Sequence, residues 1–426
     1  MIFVFVMVYY ELFAMLFNII PDQSHTFSKA YHQYPALISP RYVTKAYGVT
    51  LETDKGIFTD WSMGLGPVIK GYAFKELQNY IYEKMNNGFA FSIPSKYEYE
   101  IAQKLICKLK FGEQVRFAKN GSDATSASVR IARHYTKRDL VLCNGYHGWQ
   151  DWYIGSTTRD GGVLNQIKDK TISIPGFRKE LLEESFKINK GNIACLIIEP
   201  MIGNEPDLEY LDAARELCTR EKALLIFDEC WTGFRCHERG AIGLTDIIPD
   251  LSCYAKALGN GVPVSALVGD EIIMRNFETV FYSFTHSSDP IGLSAADFMM
   301  DYLSKDFFDD ISKKTNFLKK SISEILMGIK NPDFKINVTG YNGKIVFNPV
   351  HEPFRLRIKT QIQKIFIEHK HLFNMYIAVC EDHKEKDIKE FLAILENFVH
   401  HINEEKYNIF ESTEGYLVKD VFRRIT

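Results

Sequence analysis

Ala223-Leu-Leu-Ile-Phe-Asp-Glu-Cys-Trp-Thr-Gly-Phe-Arg235 is an apolar run closed by two carboxylates, Asp228 and Glu229. Lys256 follows 28 positions after Asp228, inside Ser252-Cys-Tyr-Ala-Lys-Ala-Leu-Gly-Asn-Gly261. A short apolar run that ends in charge reads as a buried strand whose exit carries polar groups. The pattern recurs on both sides. Val115–Ala118, Leu140–Cys143, Ala194–Ile198 and Ser265–Val268 read as strands, with helical stretches such as Thr125–Tyr135 and Glu209–Arg220 between them. Strand–helix alternation favours an α/β fold with a mostly parallel central sheet and helices on both faces. Ligands of such sheets sit where strand ends meet loops, and the polar motifs of this chain fall there.

Further out the character changes. Val49–Trp61 reads as two short strands around a turn at Asp54-Lys-Gly56. Helical periodicity marks Phe307–Ile329, Arg355–His369 and Lys386–Ile402; in the last, Ile388, Phe391, Leu395, Phe398 and Ile402 share a face. These flanks are expected to join into a smaller α+β domain built from both ends. The expected division is 25–74 and 306–402 for that domain, 75–305 for the large one, and a tail at 403–426. Residues 1–24 form an apolar extension of unknown role. Met1–Ile20 is interrupted by Glu11 and lacks a basic leader region and a small-residue cleavage site. A helix packed on a partner subunit, or a start codon set too far upstream, is expected ahead of a signal peptide or membrane span.

With 426 residues, 46% of them hydrophobic, the chain can bury a large core. Its 51 basic and 54 acidic side chains show no long run of one sign, so neither nucleic acid nor an anionic membrane is the expected partner. The eight cysteines lack CxxC spacing. Reduced thiols in a cytoplasmic protein are expected, and no metal site.

Four pieces carry chemistry. Asn120-Gly121-Ser122-Asp123 opens a helix after a strand, so free amides and the Ser122 hydroxyl can cradle a phosphate; an ordinary turn with a helix cap reads the same way. Asn144-Gly-Tyr146-His-Gly148-Trp149 puts aromatic rings at a strand exit, for stacking on a flat cofactor or for packing under a loop. Asp228 can hold a pyridine nitrogen protonated; Asp-Glu could equally cap a helix or bind a metal. Lys256 can form a Schiff base with an aldehyde, where burial would favour the neutral amine. Together they point to a cofactor of the pyridoxal type.

On these residues, with Glu199-Pro200 added, the chain resembles the class III pyridoxal-phosphate aminotransferases, and within them the glutamate-1-semialdehyde 2,1-aminomutase-like branch. The resemblance runs from Tyr34, through Asp60-Trp61 and Gly64-Leu-Gly66-Pro67, to His383-Lys-Glu-Lys-Asp387-Ile388. It implies the type I pyridoxal-phosphate fold and a homodimer with shared active sites. It further implies that Lys256 bonds the cofactor, Asp228 pairs with its ring nitrogen, Gly121 and Ser122 hold its phosphate, and Tyr146 stacks on the ring. Thr285 would reach the phosphate from the neighbouring subunit, and Asn204 would lie near the cofactor hydroxyl.

The chain also departs from the pattern. Cys230 stands where valine is usual. Gly64 and Leu65 stand where true glutamate-semialdehyde aminomutases carry serine and tryptophan, and the carboxylate-clamping arginine near the C-terminus is not evident. The expected activity is therefore amino transfer between a small-molecule amino donor and a carbonyl acceptor. The alternatives are an aminomutase (an isomerase) and a catalytically silent scaffold of the same fold.

Overall fold

The computed structural model describes residues 19–404 and 407–419. The expectations for Met1–Asn18, and for the tail beyond Lys419, lie outside the described residues. The N-terminal strands are β1 (Val43–Tyr47), β2 (Thr50–Thr53) and β3 (Gly56–Asp60), an antiparallel meander with one strand more than the two expected.

The central sheet follows with β4 (Gln114–Ala118), β5 (Leu140–Asn144), β6 (Thr171–Ser173), β7 (Ile193–Ile198), β8 (Leu224–Glu229), β9 (Leu251–Tyr254) and β10 (Ser265–Gly269). Their order is β4-β10-β9-β8-β7-β5-β6. Only β10 runs against its neighbours; β9, β8, β7, β5 and β6 pair in parallel. Every residue of β7 and β8 is buried, which is why both read as near-continuous apolar runs. Two strands escaped the sequence reading. β6 is three residues long, and β9 contains Ser252, which is buried and donates to the Phe227 carbonyl. Helix α1 (Gly121–Thr136) starts four residues ahead of the expected Thr125, because Asn120 and Asp123 close its first turn; the Asn120 amide donates to Asp123 Oδ2 at 2.7 Å.

After α2 (Pro290–Tyr302) come α3 (Lys305–Leu326), α4 (Arg355–Glu368) and α5 (Glu385–Ile402), at nearly the expected places. The C-terminal strands are β11 (Ile336–Tyr341), β12 (Lys344–Pro349), β13 (His371–Leu372) and β14 (Tyr376–Ala378). β13 pairs in parallel with β3, His371 opposite Thr59, so the two ends of the chain share one sheet. β11, β12 and β14 form a third, antiparallel sheet. Among the described residues no helix is long and apolar enough to cross a membrane.

Candidate active site

β8 and β9 are adjacent parallel strands, with Asp228 opposite Cys253 and Glu229 opposite Tyr254. Lys256 lies two residues past the end of β9. The 28-residue interval is therefore one crossover, and it returns the lysine to the same sheet edge as the carboxylate. Lys256 adopts a left-handed conformation, φ +46°, at the head of a short 3₁₀ turn. A non-glycine residue held there is strained and persists only where its surroundings fix it. Asn260 supplies part of that hold. Its Oδ1 accepts from the Ile69 and Lys70 amides at 2.9 and 3.0 Å, and its Nδ2 donates to the Gly71 carbonyl at 3.2 Å. The Lys256 side chain is half-buried, its Nζ 5.2 Å from the centroid of the Trp231 ring.

Asp228 is buried. Its Oδ2 takes a hydrogen bond from His147 Nδ1 at 2.8 Å, and its Oδ1 one from the Cys230 amide at 3.0 Å. Burial alone would raise this carboxyl. The His147 ring, the Cys230 thiol and the nearby Lys256 charge outweigh burial and hold it below the usual carboxylate range. His147 Nε2 is buried without a hydrogen-bond partner among the described residues. Thr125 Oγ1 donates to the His147 carbonyl at 2.7 Å and fixes that segment on α1. The sequence reading valued Tyr146 for its ring and passed over its neighbour; a histidine between two strand-exit residues and Gly148 was the available signal.

Tyr146 is half-buried, its amide held by Glu199 Oε1 at 2.5 Å and its ring perpendicular to Tyr153. At the start of α1 the Gly121 and Ser122 amides have no protein acceptor among the described residues. A methyl group on Gly121 would fall 2.7 Å from Cys230 Sγ, so the glycine admits the close approach of the β8 exit. Capping uses Asn120 and Asp123 and leaves the two amides between them free to meet an anion.

Arg235 is the largest site feature absent from the sequence reading. Its buried guanidinium donates to four main-chain carbonyls, Gly66 at 2.6 Å, Val68 at 3.0 Å, Val379 at 3.1 Å and Gly343 at 3.3 Å. Thr285 and Asn204 are exposed on this chain and share no hydrogen bond with the residues above. Ile154–Val163, open in the sequence between a lid and a surface loop, is partly tucked in: Ser156 and Thr157 are buried and bond the carbonyls of Tyr153 and Ile154.

An anionic carboxylate, a lysine at the same sheet edge, a phosphate-ready helix start and a tyrosine beside them fit pyridoxal phosphate. The model of the class III aminotransferases matches residues 32–344, and the chain belongs to that family. It is a pyridoxal-phosphate-dependent enzyme. Among curated proteins it is 36% identical over 276 residues to a glutamate-1-semialdehyde 2,1-aminomutase of Opitutus terrae, covering 60% of this chain and 65% of that one. The enzyme of the same name from Methanosphaera stadtmanae is 26% identical across 91% of this chain and 96% of its own length. Among solved structures, an omega-transaminase from Sphaerobacter thermophilus superposes with a TM-score of 0.82 at 20% identity, over 91% of this chain and 97% of that one. A glutamate-1-semialdehyde-aminomutase from Pseudomonas aeruginosa, in complex with PMP, gives 0.78 at 16% identity, over 91% and 94%.

Proposed function

We infer that the protein moves an amino group from a small-molecule donor to a separate carbonyl acceptor. The observation that carries this is Asp228, buried and held anionic by His147 at the sheet edge that also bears Lys256. A carboxylate so placed keeps a pyridine nitrogen protonated. Pyridoxal phosphate, when bound, supplies the electron sink that this protonation strengthens. Gly121 and Ser122 would hold its phosphate through their amides, and Tyr146 would pack on its ring. Lys256 Nζ would hold the cofactor aldehyde and, when free of it, would take and return the proton of the substrate carbon that bears nitrogen. Cys230, small and apolar, would leave room for the ring.

Thr285 and Asn204 are assigned to a homodimer. Thr285, exposed just ahead of α2, would reach the phosphate of a second copy, and Asn204 would lie on the cofactor's hydroxyl side. Residues 75–305 serve as the cofactor domain, and 25–74 with 306–402 as the smaller one.

The names of the curated relatives favour a second reading, intramolecular amino transfer. Gly64 and Leu65 weigh against that substrate, since serine and tryptophan stand there in true glutamate-semialdehyde aminomutases. One experiment separates the two. The holoenzyme is given single carbonyl and amino compounds and then pairs, and the bound cofactor's visible spectrum is followed. Turnover that requires both partners supports transfer between molecules, and turnover of one aminated aldehyde alone overturns it.

A further inference from the structure

Beside Lys256 lies a group of polar atoms that the chain itself does not satisfy. Tyr376 meets the Trp231 ring edge-on at 5.7 Å, and Lys256 Nζ is 5.2 Å from that ring's centroid. The hydroxyl of Ser62, on the turn after β3, faces the phenols of both Tyr34 and Tyr376. The Ser62 hydroxyl has these two phenols as its neighbours, whereas the buried Trp231 Nε1 has no hydrogen-bond partner among the described residues. Folded proteins rarely leave such an atom unpaired, so an orphan indole N–H beside three hydroxyls marks a place for something else to bind. Tyr34, Tyr376, Trp231 and Lys256 are all half-buried, so the cluster lines an opening rather than a sealed core.

The neighbouring charges are already engaged. Asp60 accepts from the Ser62 and Gly64 amides at 2.8 and 3.2 Å and from the Tyr72 hydroxyl at 2.7 Å. Arg235 commits both terminal nitrogens to its four carbonyls, and only its buried Nε has no partner among the described residues. Lys344 donates to the Ile202 carbonyl at 2.8 Å, its ammonium 4.4 Å above Trp231. Lys256 Nζ is reserved for the cofactor aldehyde, and what else faces the opening is neutral: three hydroxyls that both donate and accept, and one indole N–H. Such a set matches a hydroxyl better than a carboxylate, whose desolvation costs far more.

We propose that Tyr34, Ser62, Tyr376 and the Trp231 indole N–H form the pocket that hydrogen-bonds a neutral, hydroxyl-bearing part of the amino donor, as in an amino polyol. The assignment rests on the amino-transfer reading above and narrows its substrate class. The test uses the holoenzyme and three primary amines. Glucamine carries hydroxyls, n-hexylamine is its deoxygenated counterpart, and glutamate is the acidic donor. The apparent Kd and limiting rate of each are read from conversion of the bound cofactor to its amine form.

Glucamine is expected to bind about tenfold more tightly than hexylamine, the worth of one or two net hydrogen bonds. Ser62→Ala and Tyr376→Phe are each expected to weaken glucamine about three- to tenfold and to leave hexylamine within about twofold. A preference for hexylamine or glutamate, or equal losses for glucamine and hexylamine in both variants, overturns the pocket. Calorimetry of glucamine with the borohydride-reduced holoenzyme, which cannot turn over, separates the two proposals. Binding there that both variants weaken, with no amine converting the cofactor, sinks amino transfer and leaves the pocket standing. Conversion by amines with no glucamine binding to the reduced enzyme sinks the pocket alone.

Discussion

Gly121→Ala is the most direct probe of how the cofactor cradle is packed. Gly121 is the first residue of α1 and does not use the left-handed region, so alanine there meets no backbone strain. The obstacle is steric. The new methyl would fall 2.7 Å from Cys230 Sγ, 3.2 Å from Cys230 Cβ and 3.5 Å from Ala255 Cβ. Carbon contacts are comfortable near 3.5–4.0 Å, so the thiol must retreat by about an ångström. It cannot do so freely, because Cys230 is buried and its amide is fixed to Asp228 Oδ1. Overpacking of this kind costs about 1–3 kcal/mol. A shift of Cys230 also disturbs Asp228, so pyridoxal-phosphate affinity should fall about tenfold for each ~1.4 kcal/mol that reaches the site. Cys230→Ala removes the sulfur and leaves only the 3.2 Å contact, which a few tenths of an ångström relieve. The double variant should therefore recover about 1–2 kcal/mol relative to the sum of the singles. The assay is cofactor titration of the apo protein beside its urea midpoint, for all four proteins. Additivity within about 0.5 kcal/mol would refute the reasoning, because it would mean the methyl and the thiol do not compete for one space.

Three further outcomes follow from the same geometry. Lys256→Ala should abolish turnover and the visible absorbance of the lysine-bound cofactor; turnover at the parental rate would remove Lys256 from its role. His147→Leu deletes a charge-assisted hydrogen bond worth about 1.5–3 kcal/mol to a buried carboxylate. Asp228 is held below its ordinary range, so its ionised form persists as pH falls. In the variant its titration moves up, and cofactor affinity, read by titration between pH 5 and 8, should be lost at a higher pH than in the parent protein. Glu229 has the opposite sign. Burial pushes its carboxyl up to about 7, against the bonds from Thr232 and the Ala241 amide. Its folded form holds the proton more tightly than the unfolded chain does, so the stability it contributes is present below about pH 4.5 and lost as pH rises through about 7. The difference is roughly 3 kcal/mol, and Glu229→Gln should remove it. Urea midpoints at pH 5.5 and 8 that shift equally in both proteins would show that Glu229 is ionised throughout.

The sheet was legible because its central strands are buried on both faces. Ile193–Ile198 and Leu224–Phe227 cannot be amphipathic, and an unbroken apolar run is what burial on two sides requires. β9 hid for the same reason in reverse, since a buried serine that bonds a main-chain carbonyl looks polar in sequence, and β6 hid because it is only three residues long. Gly121, Ser122 and Tyr146 were legible because each follows a strand whose direction is fixed, and Asp228 because it closes one; Lys256 follows the hidden β9 and stood out only by its interval from Asp228. His147 was visible as a residue but its partner was not: the two lie 81 positions apart and meet only because β5 and β8 flank β7. Ser62 and Tyr376 stayed hidden on similar grounds, one after β3 and the other in β14, with no local pattern to join them.

Arg235 shows why a motif can fix a cofactor and still say little about the substrate. The residues between Asp228 and Lys256 look like a spacer, yet the crossover spends its arginine on the carbonyls of Gly66, Val68, Gly343 and Val379. Two of those precede the large sheet and two follow it. A planar guanidinium can donate along several directions at once, and no carboxylate competes for it among these bonds. The bond set thus ties the β8 exit, which carries Asp228, to the turn after β3 and to the ends of β11 and β14. Those are the segments that present Ser62 and Tyr376. Asn260 repeats the arrangement from the lysine side, through the amides of Ile69 and Lys70. The cofactor edge and the substrate-side residues are therefore held in register by main-chain carbonyls and amides, groups that every residue possesses. Such a fastening asks nothing of the side chains at Gly66, Val68, Ile69 or Lys70, so neighbouring positions such as Gly64 and Leu65 can vary while the Asp228–Lys256 frame stays in place.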